Sequence, residues 1–182
     1  ALEGMHDIYY GTALPPNRVP IPLIKADQLI GQPTFKVNPD KIAAIVETDA
    51  PDRNLPFAAP DENARAIAGH LIEFLKNEVK QGRLPTSLLP LQSGVGNIAN
   101  AVLAGLNHGP FDHLNAYTEV LQDGMLNMLE SGKLDTASTT SLALSPEAME
   151  RFLANIDFYR PRIMLRPQEI SNHPELIRRM GL

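Results

Sequence analysis

From Asp61 to the C-terminal end of the chain the hydrophobic period switches repeatedly between that of a helix and that of a strand, and few architectures accept such alternation. The first segment is the clearest. Asp61 suits an N-cap; Ala64, Ile67, Ala68, Leu71, Ile72, Leu75 and Val79 recur on one helical stripe; Lys76 and Lys80 suit the negative end, and Gly82 the C′ position. Residues 88–92 then read as a short strand, 97–106 as a helix, 114–118 as a strand and 123–131 as a helix. Ser145-Pro146-Glu147 opens a further helix, to about residue 154, with a cap and a proline at the first helical position. Residues 162–166 read as a strand and 174–180 as a last helix. Elements alternating at this spacing predict an α/β domain, an open and mostly parallel sheet covered by helices.

The first sixty residues are built differently. Pro15, Pro16, Pro20, Pro22 and Pro33 remove backbone donors and bias their neighbours away from the helix, so this stretch is expected to run extended over a surface. Within it, Ile42-Ala43-Ala44-Ile45-Val46-Glu47-Thr48 is an apolar run with the length of a buried strand, and 49–60 reads as loop.

Two segments can carry chemistry. Gln92-Ser93-Gly94-Val95-Gly96-Asn97-Ile98 joins a predicted strand to a predicted helix. Gly94 and Gly96 permit positive φ and close backbone approach, and the free N–H groups of a first helical turn suit a phosphate, a carbonyl or an oxyanion. A tight turn packing helix against strand accounts for the same residues. The dinucleotide fingerprint is incomplete, with Ala99 in its third glycine position, and the Gly-Lys-Ser/Thr element of a P-loop is missing. Glu119, in Tyr117-Thr118-Glu119-Val120-Leu121-Gln122-Asp123-Gly124, follows the next strand. It reads either as a cap or ion-pair carboxylate or as a nucleophile. Neighbouring strands at 88–92 and 114–118 would open both loops at one sheet end, with the carboxylate across a cleft from the glycines.

Charge and composition exclude several other classes. A formal net charge of −5 leaves no electrostatic footprint for nucleic acid or an anionic membrane, and the absence of cysteine removes disulfides, thiol nucleophiles and cysteine-held metals. The five histidines have no ligand spacing, so no metal is expected. His70 reads as a packing or surface residue, and Ser171 or Asn172 as a cap of the last helix. Arg160, Arg162 and Arg166 form either a phosphate-facing cluster or a solvated strand edge. No apolar run approaches the roughly 20 residues of a membrane helix, and Ala1-Leu2-Glu3-Gly4-Met5-His6-Asp7 lacks the features of a signal peptide. The expected location is cytoplasmic, or mitochondrial in a eukaryote.

Five strings together resemble the acetyl-CoA hydrolase/transferase family, which includes succinyl-CoA:acetate and propionyl-CoA:succinate CoA-transferases. They are Ala68-Gly69-His70-Leu71-Ile72-Glu73-Phe74, Gly82-Arg83-Leu84-Pro85, the glycine loop, the segment from Tyr117 to Gly124, and Ile163-Met164-Leu165-Arg166-Pro167-Gln168-Glu169-Ile170-Ser171-Asn172-His173-Pro174-Glu175. The resemblance implies that Glu119 is a nucleophile forming a glutamyl–CoA thioester and that Gly94, Val95, Gly96, Asn97 and Ile98 contact coenzyme A. It implies acyl-CoA and small carboxylic acids as substrates, and a homodimer for full-length members. On the same resemblance, residues 1–60 are a connector and the end of a preceding CoA-transferase domain, and 61–182 the first part of the C-terminal one. The chain is then expected to be an internal section of a longer protein, with little activity alone. Acyl-CoA hydrolysis shares every residue named, and a non-catalytic nucleotide- or phosphate-binding module would also use the glycine loop.

Overall fold

The computed structural model of the chain describes residues 2–50 and 59–182. Helix α1 (Glu62–Lys80) begins where Asp61 accepts a hydrogen bond from Ala64 N, and ends before Gly82, which sits at φ 68° in the left-handed region. Helix α2 (Asn97–His108) packs against α1, which buries Ala64, Ala68 and Ile72 while Ile67, Leu71 and Phe74 stay exposed. The predicted stripe is therefore only half covered.

The centre of the fold is a parallel sheet in the order β1 (Leu114–Tyr117), β3 (Leu134–Thr139), β5 (Ile163–Leu165). Parallel neighbours need crossover connections, and these run over the faces. Between β1 and β3 lie β2 (Val120–Gln122) and α3 (Asp123–Glu130); between β3 and β5 lie β4 (Ser141–Ala143), α4 (Pro146–Ala154) and α5 (Ile156–Tyr159). Beyond β5 come α6 (Gln168–Ser171) and α7 (Pro174–Met180). This is the α/β architecture that the alternation predicts. Strands β2 and β4 pair in parallel as a second small sheet at the ends of β1 and β3.

Successive strand residues face opposite sides, and the core divides accordingly. Ala116 joins the larger cluster with Leu121, Leu126, Met128, Phe152 and Ile163. Tyr117 joins a second cluster made by Ile21, Leu23, Ile170, Leu176 and Met180. Parts of the N-terminal segment thus pack on the sheet, through Met5 in the first cluster and Ile21, Leu23 and Ala26 in the second, while 10–20 stay exposed; His6 pairs with Leu165 beyond the β5 edge, and Ile8 bridges to Gln32 within the segment.

Several local expectations give way to tertiary context. Residues 88–92 do not form a full strand, since Leu88 takes a left-handed φ of 55° and Pro90 has no N–H; only Leu91 bridges to Ala116, beside β1 as expected. Residues 42–48 form no strand either. Ile45 and Val46 are each 83% exposed, because no neighbouring strand among the described residues offers them a ladder. The loop expected at 49–60 lies partly outside the described residues. Helix α7 starts after His173 without a side-chain cap, so neither Ser171 nor Asn172 caps it. His70 is exposed on α1, as read.

The phenol of Tyr117 donates to Ile170 O at 2.7 Å, and burial pushes its pKa up to about 12. A raised phenol pKa means that the folded state holds the proton more tightly. Its contribution is complete below the unfolded value near pH 10 and is lost as pH rises towards 12. Tyr117→Phe is expected to cost about 1 kcal/mol near pH 8, from the lost hydrogen bond, and progressively less near pH 11. Urea midpoints of the two proteins at both pH values measure this.

Candidate active site

Four chain segments end at the carboxyl edge of the parallel sheet, where ligands collect in open α/β folds. Leu91 leads into the glycine loop, β1 into Glu119, β3 into Thr140, and β5 into Pro167 and Gln168. The corner at Glu119 is fixed through its backbone. Its carbonyl accepts from Thr140 N at 3.0 Å, Ser141 N at 3.1 Å and Thr139 Oγ1 at 3.0 Å, which locks the passage from β1 into β2. The side chain is exposed, and Oε1 accepts a hydrogen bond from Gln168 Nε2 at 2.9 Å. A rigid backbone with an outward carboxylate is what a nucleophile at a strand end requires.

The glycine loop is tied to the same corner. Thr118 Oγ1 donates to Ser93 O at 3.2 Å, and Gln122 Nε2 donates to Gly94 O at 2.8 Å, from a side chain that is wholly buried. These two donors flank Glu119 in sequence. Gly96 caps α2 at φ 142°, a conformation strained for any other residue, and a Cβ at Gly94 or Gly96 would meet nothing within 4 Å. The loop surface is therefore open, and Val95 and Ile98 are 58% and 50% exposed. No side chain caps α2 at Gly96, so the first-turn N–H groups of a twelve-residue helix face this opening. Asn97 Oδ1 is buried and has no hydrogen-bond partner among the described residues. All six residues singled out from the sequence therefore belong to adjoining corners of one sheet edge.

Gln168, Thr118 and Gln122 went unassigned in the sequence, although all three lie in strings that carry the resemblance. The signal for Gln168 was its place two residues beyond a predicted strand, behind Pro167. The arginine cluster dissolves in three dimensions. Arg166 is buried against Asp7, Ser138 Oγ, Gln28 O and Ala26 O; Arg160 bonds Asp157 and Glu3 O; and Arg162 bonds Phe158 O and lies over the Phe158 ring. Arg166 is only 2% exposed, and its guanidinium is taken up by one carboxylate, a hydroxyl, two backbone carbonyls and the Met164 sulfur, so it is no solvated edge residue.

Comparison with known proteins places this edge in context. Over all 182 residues the chain is 52% identical to an acetyl-CoA hydrolase of Candida glabrata, covering 100% of the chain and 34% of that protein. Over 181 residues it is 49% identical to a succinyl-CoA:acetate CoA-transferase of Clostridium kluyveri, again covering 100% of the chain and 34% of the relative. The chain belongs to the acetyl-CoA hydrolase/transferase family. No family model matches it. This family segment spans about a third of the length of the curated relatives it matches. Its fold is also that of the crystal structure of RipA from Yersinia pestis, with a TM-score of 0.60 at 23% identity, covering 76% of the chain and 30% of RipA. Among the described residues no group of three or more His, Cys, Asp or Glu could hold a metal ion, and no helix is long and apolar enough to cross a membrane.

Proposed function

We propose that the protein carrying this chain transfers coenzyme A between an acyl-CoA and a carboxylic acid, with Glu119 as the nucleophile. One observation carries this reading: an exposed carboxylate stands at a strand end whose backbone is pinned by three hydrogen bonds, beside an open glycine loop at a helix N-terminus. The names of the relatives, acetyl-CoA hydrolase and succinyl-CoA:acetate CoA-transferase, support the same substrate class.

In the reaction, a carboxylate oxygen of Glu119 attacks the acyl carbonyl carbon. The tetrahedral intermediate collapses by breaking the C–S bond, giving a glutamyl–acyl anhydride and CoA thiolate. The thiolate then attacks the glutamyl carbonyl, releasing the first carboxylate and leaving a glutamyl–CoA thioester. The incoming acid runs these steps in reverse and leaves as the new acyl-CoA. Covalent catalysis here retains the thioester that direct hydrolysis would discard. Each intermediate develops charge on one oxygen, and the backbone N–H groups of Gly94, Val95, Gly96, Asn97 and Ile98 are the donors proposed to meet it or to hold the coenzyme. Gln168 positions the attacking carboxylate through its contact with Oε1.

Residues 1–60 are proposed to be the connector and end of a preceding CoA-transferase domain, 61–182 the first part of the following one, and the complete protein a homodimer. A second reading, acyl-CoA hydrolysis, is favoured by the relative from Candida glabrata, which is named an acetyl-CoA hydrolase. The two separate on one measurement, because transfer requires a carboxylic acid acceptor for turnover and hydrolysis does not. Borohydride treatment after incubation with acetyl-CoA tests the intermediate: reduction of a thioester at Glu119 lowers the mass of its peptide, and an unchanged peptide from a protein that binds coenzyme A rejects the proposal. Gln168→Ala is expected to slow thioester formation by about tenfold with little change in coenzyme affinity, measured by quenched-flow mass analysis.

A further inference from the structure

Two buried polar side chains beside Glu119 take no part in the bond changes of CoA transfer. Thr118 and Gln122, 2% and 0% exposed, stand just before and shortly after the carboxylate in the chain. Thr118 Oγ1 donates to Ser93 O at 3.2 Å and Gln122 Nε2 to Gly94 O at 2.8 Å, across 25 and 28 positions of chain. The other donors to these two carbonyls, Gln92 Nε2 at 3.5 Å and Ser93 Oγ at 3.1 Å, belong to the loop itself. Thr118 and Gln122 are therefore the side chains that tie the glycine loop to the strand ends.

They also set which way the loop faces. A trans peptide is planar, and its C=O and N–H point in opposite directions. With Ser93 O and Gly94 O drawn towards buried donors, the N–H groups of Gly94 and Val95 face away from them, on the open side of the loop. Neither N–H has a hydrogen-bond partner among the described residues. Both peptide units share Gly94, whose freedom in φ and ψ would otherwise let them turn over. The segment that holds them is itself fixed: Thr118 N donates to Ser138 O at 2.9 Å, the carbonyl of Glu119 takes three bonds, and Gln122 pairs with Ala143 between β2 and β4. Residues 118–122 thus control both the carboxylate and the direction of two loop donors.

Satisfaction of buried polar groups does not account for Gln122. Its Oε1 is buried with no partner among the described residues, and a half-satisfied amide is worse in an interior than an apolar side chain of the same shape. Only its nitrogen can face a carbonyl at 2.8 Å, so the donor end is the one the fold uses. We infer that Thr118 and Gln122 are positioning residues: by holding the carbonyls of Ser93 and Gly94, they aim the N–H groups of Gly94 and Val95 at the oxygen that becomes charged when Glu119 attacks. The inference rests on the transfer reading and names what orients its donors.

The test uses the whole protein that carries this chain, with acetyl-CoA and a carboxylic acid acceptor. Gln122→Met keeps the length of the side chain and removes the donor. It is expected to lower kcat by about tenfold or more while KM for acetyl-CoA changes less than about threefold, because misaimed donors are missed in the transition state. Thr118→Val is expected to lower kcat by about fivefold, and Thr118→Ser, which keeps the hydroxyl, to recover most of that loss. The thermal midpoint of Gln122→Met is expected to hold or rise, since the orphan oxygen leaves with the amide; a purely structural glutamine would give the reverse, a lower midpoint with an unchanged kcat. In crystals of the same variant, the peptide between Gly94 and Val95 is expected to turn. An unchanged kcat in Gln122→Met and Thr118→Val overturns the inference, as does a peptide that keeps its orientation once the donor is gone. A turned peptide in a protein whose Glu119 forms no borohydride-sensitive thioester overturns the transfer reading and leaves Thr118 and Gln122 as ties of the loop alone.

Discussion

Glu119→Gln is expected to lower CoA transfer by roughly a thousandfold or more, and to remove the borohydride-sensitive intermediate altogether. The amide keeps the size and most of the hydrogen-bonding capacity of the carboxylate, so Gln168 still has an oxygen to meet. The carbonyl of residue 119 still accepts from Thr140, Ser141 and Thr139, because those bonds are made to the backbone. Stability and coenzyme binding are therefore expected to change little. Only nucleophilicity is lost, since an amide oxygen does not form the anhydride. A kinetic assay with acetyl-CoA and a carboxylic acid acceptor, run beside thermal unfolding of the same variant, separates chemistry from folding. Retention of more than about a tenth of the rate would remove Glu119 from the mechanism.

Breaking the Arg166–Asp7 pair is expected to have the largest effect on stability. Arg166 and Asp7 are 2% and 1% exposed, and burial pushes the guanidinium pKa down to about 10, which leaves it charged at neutral pH. Asp7 also accepts from the N–H groups of Ile30 and Gly31, while Arg166 donates to Ser138 Oγ at 2.7 Å and Gln28 O at 2.6 Å. The pair thus joins the N-terminal segment, β3 and the end of β5 in one polar network. Removing either partner leaves an uncompensated charge in a dry site, at a cost of about 3–5 kcal/mol. That is a large part of the 5–15 kcal/mol typical of a folded domain. Asp7→Ala and Arg166→Ala are each expected to lower the urea midpoint sharply, and the double variant Asp7→Leu with Arg166→Met to lose less than either. Additive losses would mean that the two charges are not coupled. Pro167 and Gln168 follow Arg166 directly, so the single variants are also expected to loosen the clamp on Glu119.

The contrast between Arg166 and Glu119 shows how far residue pattern carries. Glu119 was legible because its position, one residue past a predicted strand and near a glycine loop, survives in three dimensions without help from distant sequence. Arg166 was read together with Arg160 and Arg162 because they are close in the chain. Its partner, Asp7, lies at the other end of the chain, and no local signal announces a pair separated by 159 positions. Strand β3 was overlooked for a related reason. Its sequence, Leu134-Asp135-Thr136-Ala137-Ser138-Thr139, has one large apolar residue, yet four of its six positions are buried because neighbouring strands flank it on both sides. The apolar run at 42–48 shows the converse: it has the composition of a strand, but without a ladder among the described residues it stays exposed.

Most of the helix–strand alternation, the caps of α1 and α4, the glycine loop and the glutamate beyond β1 can be read from local residues, because capping, periodicity and turn chemistry act over a few residues. It took the folded chain to bring three strand ends and the Leu91 bridge to one edge, to carry Gln168 to the carboxylate of Glu119, to set Arg166 on Asp7, and to open an apolar cavity beside Thr140. Those features depend on residues far apart in the chain being brought into contact, and the burial that does so follows from how the whole core packs, not from any one segment.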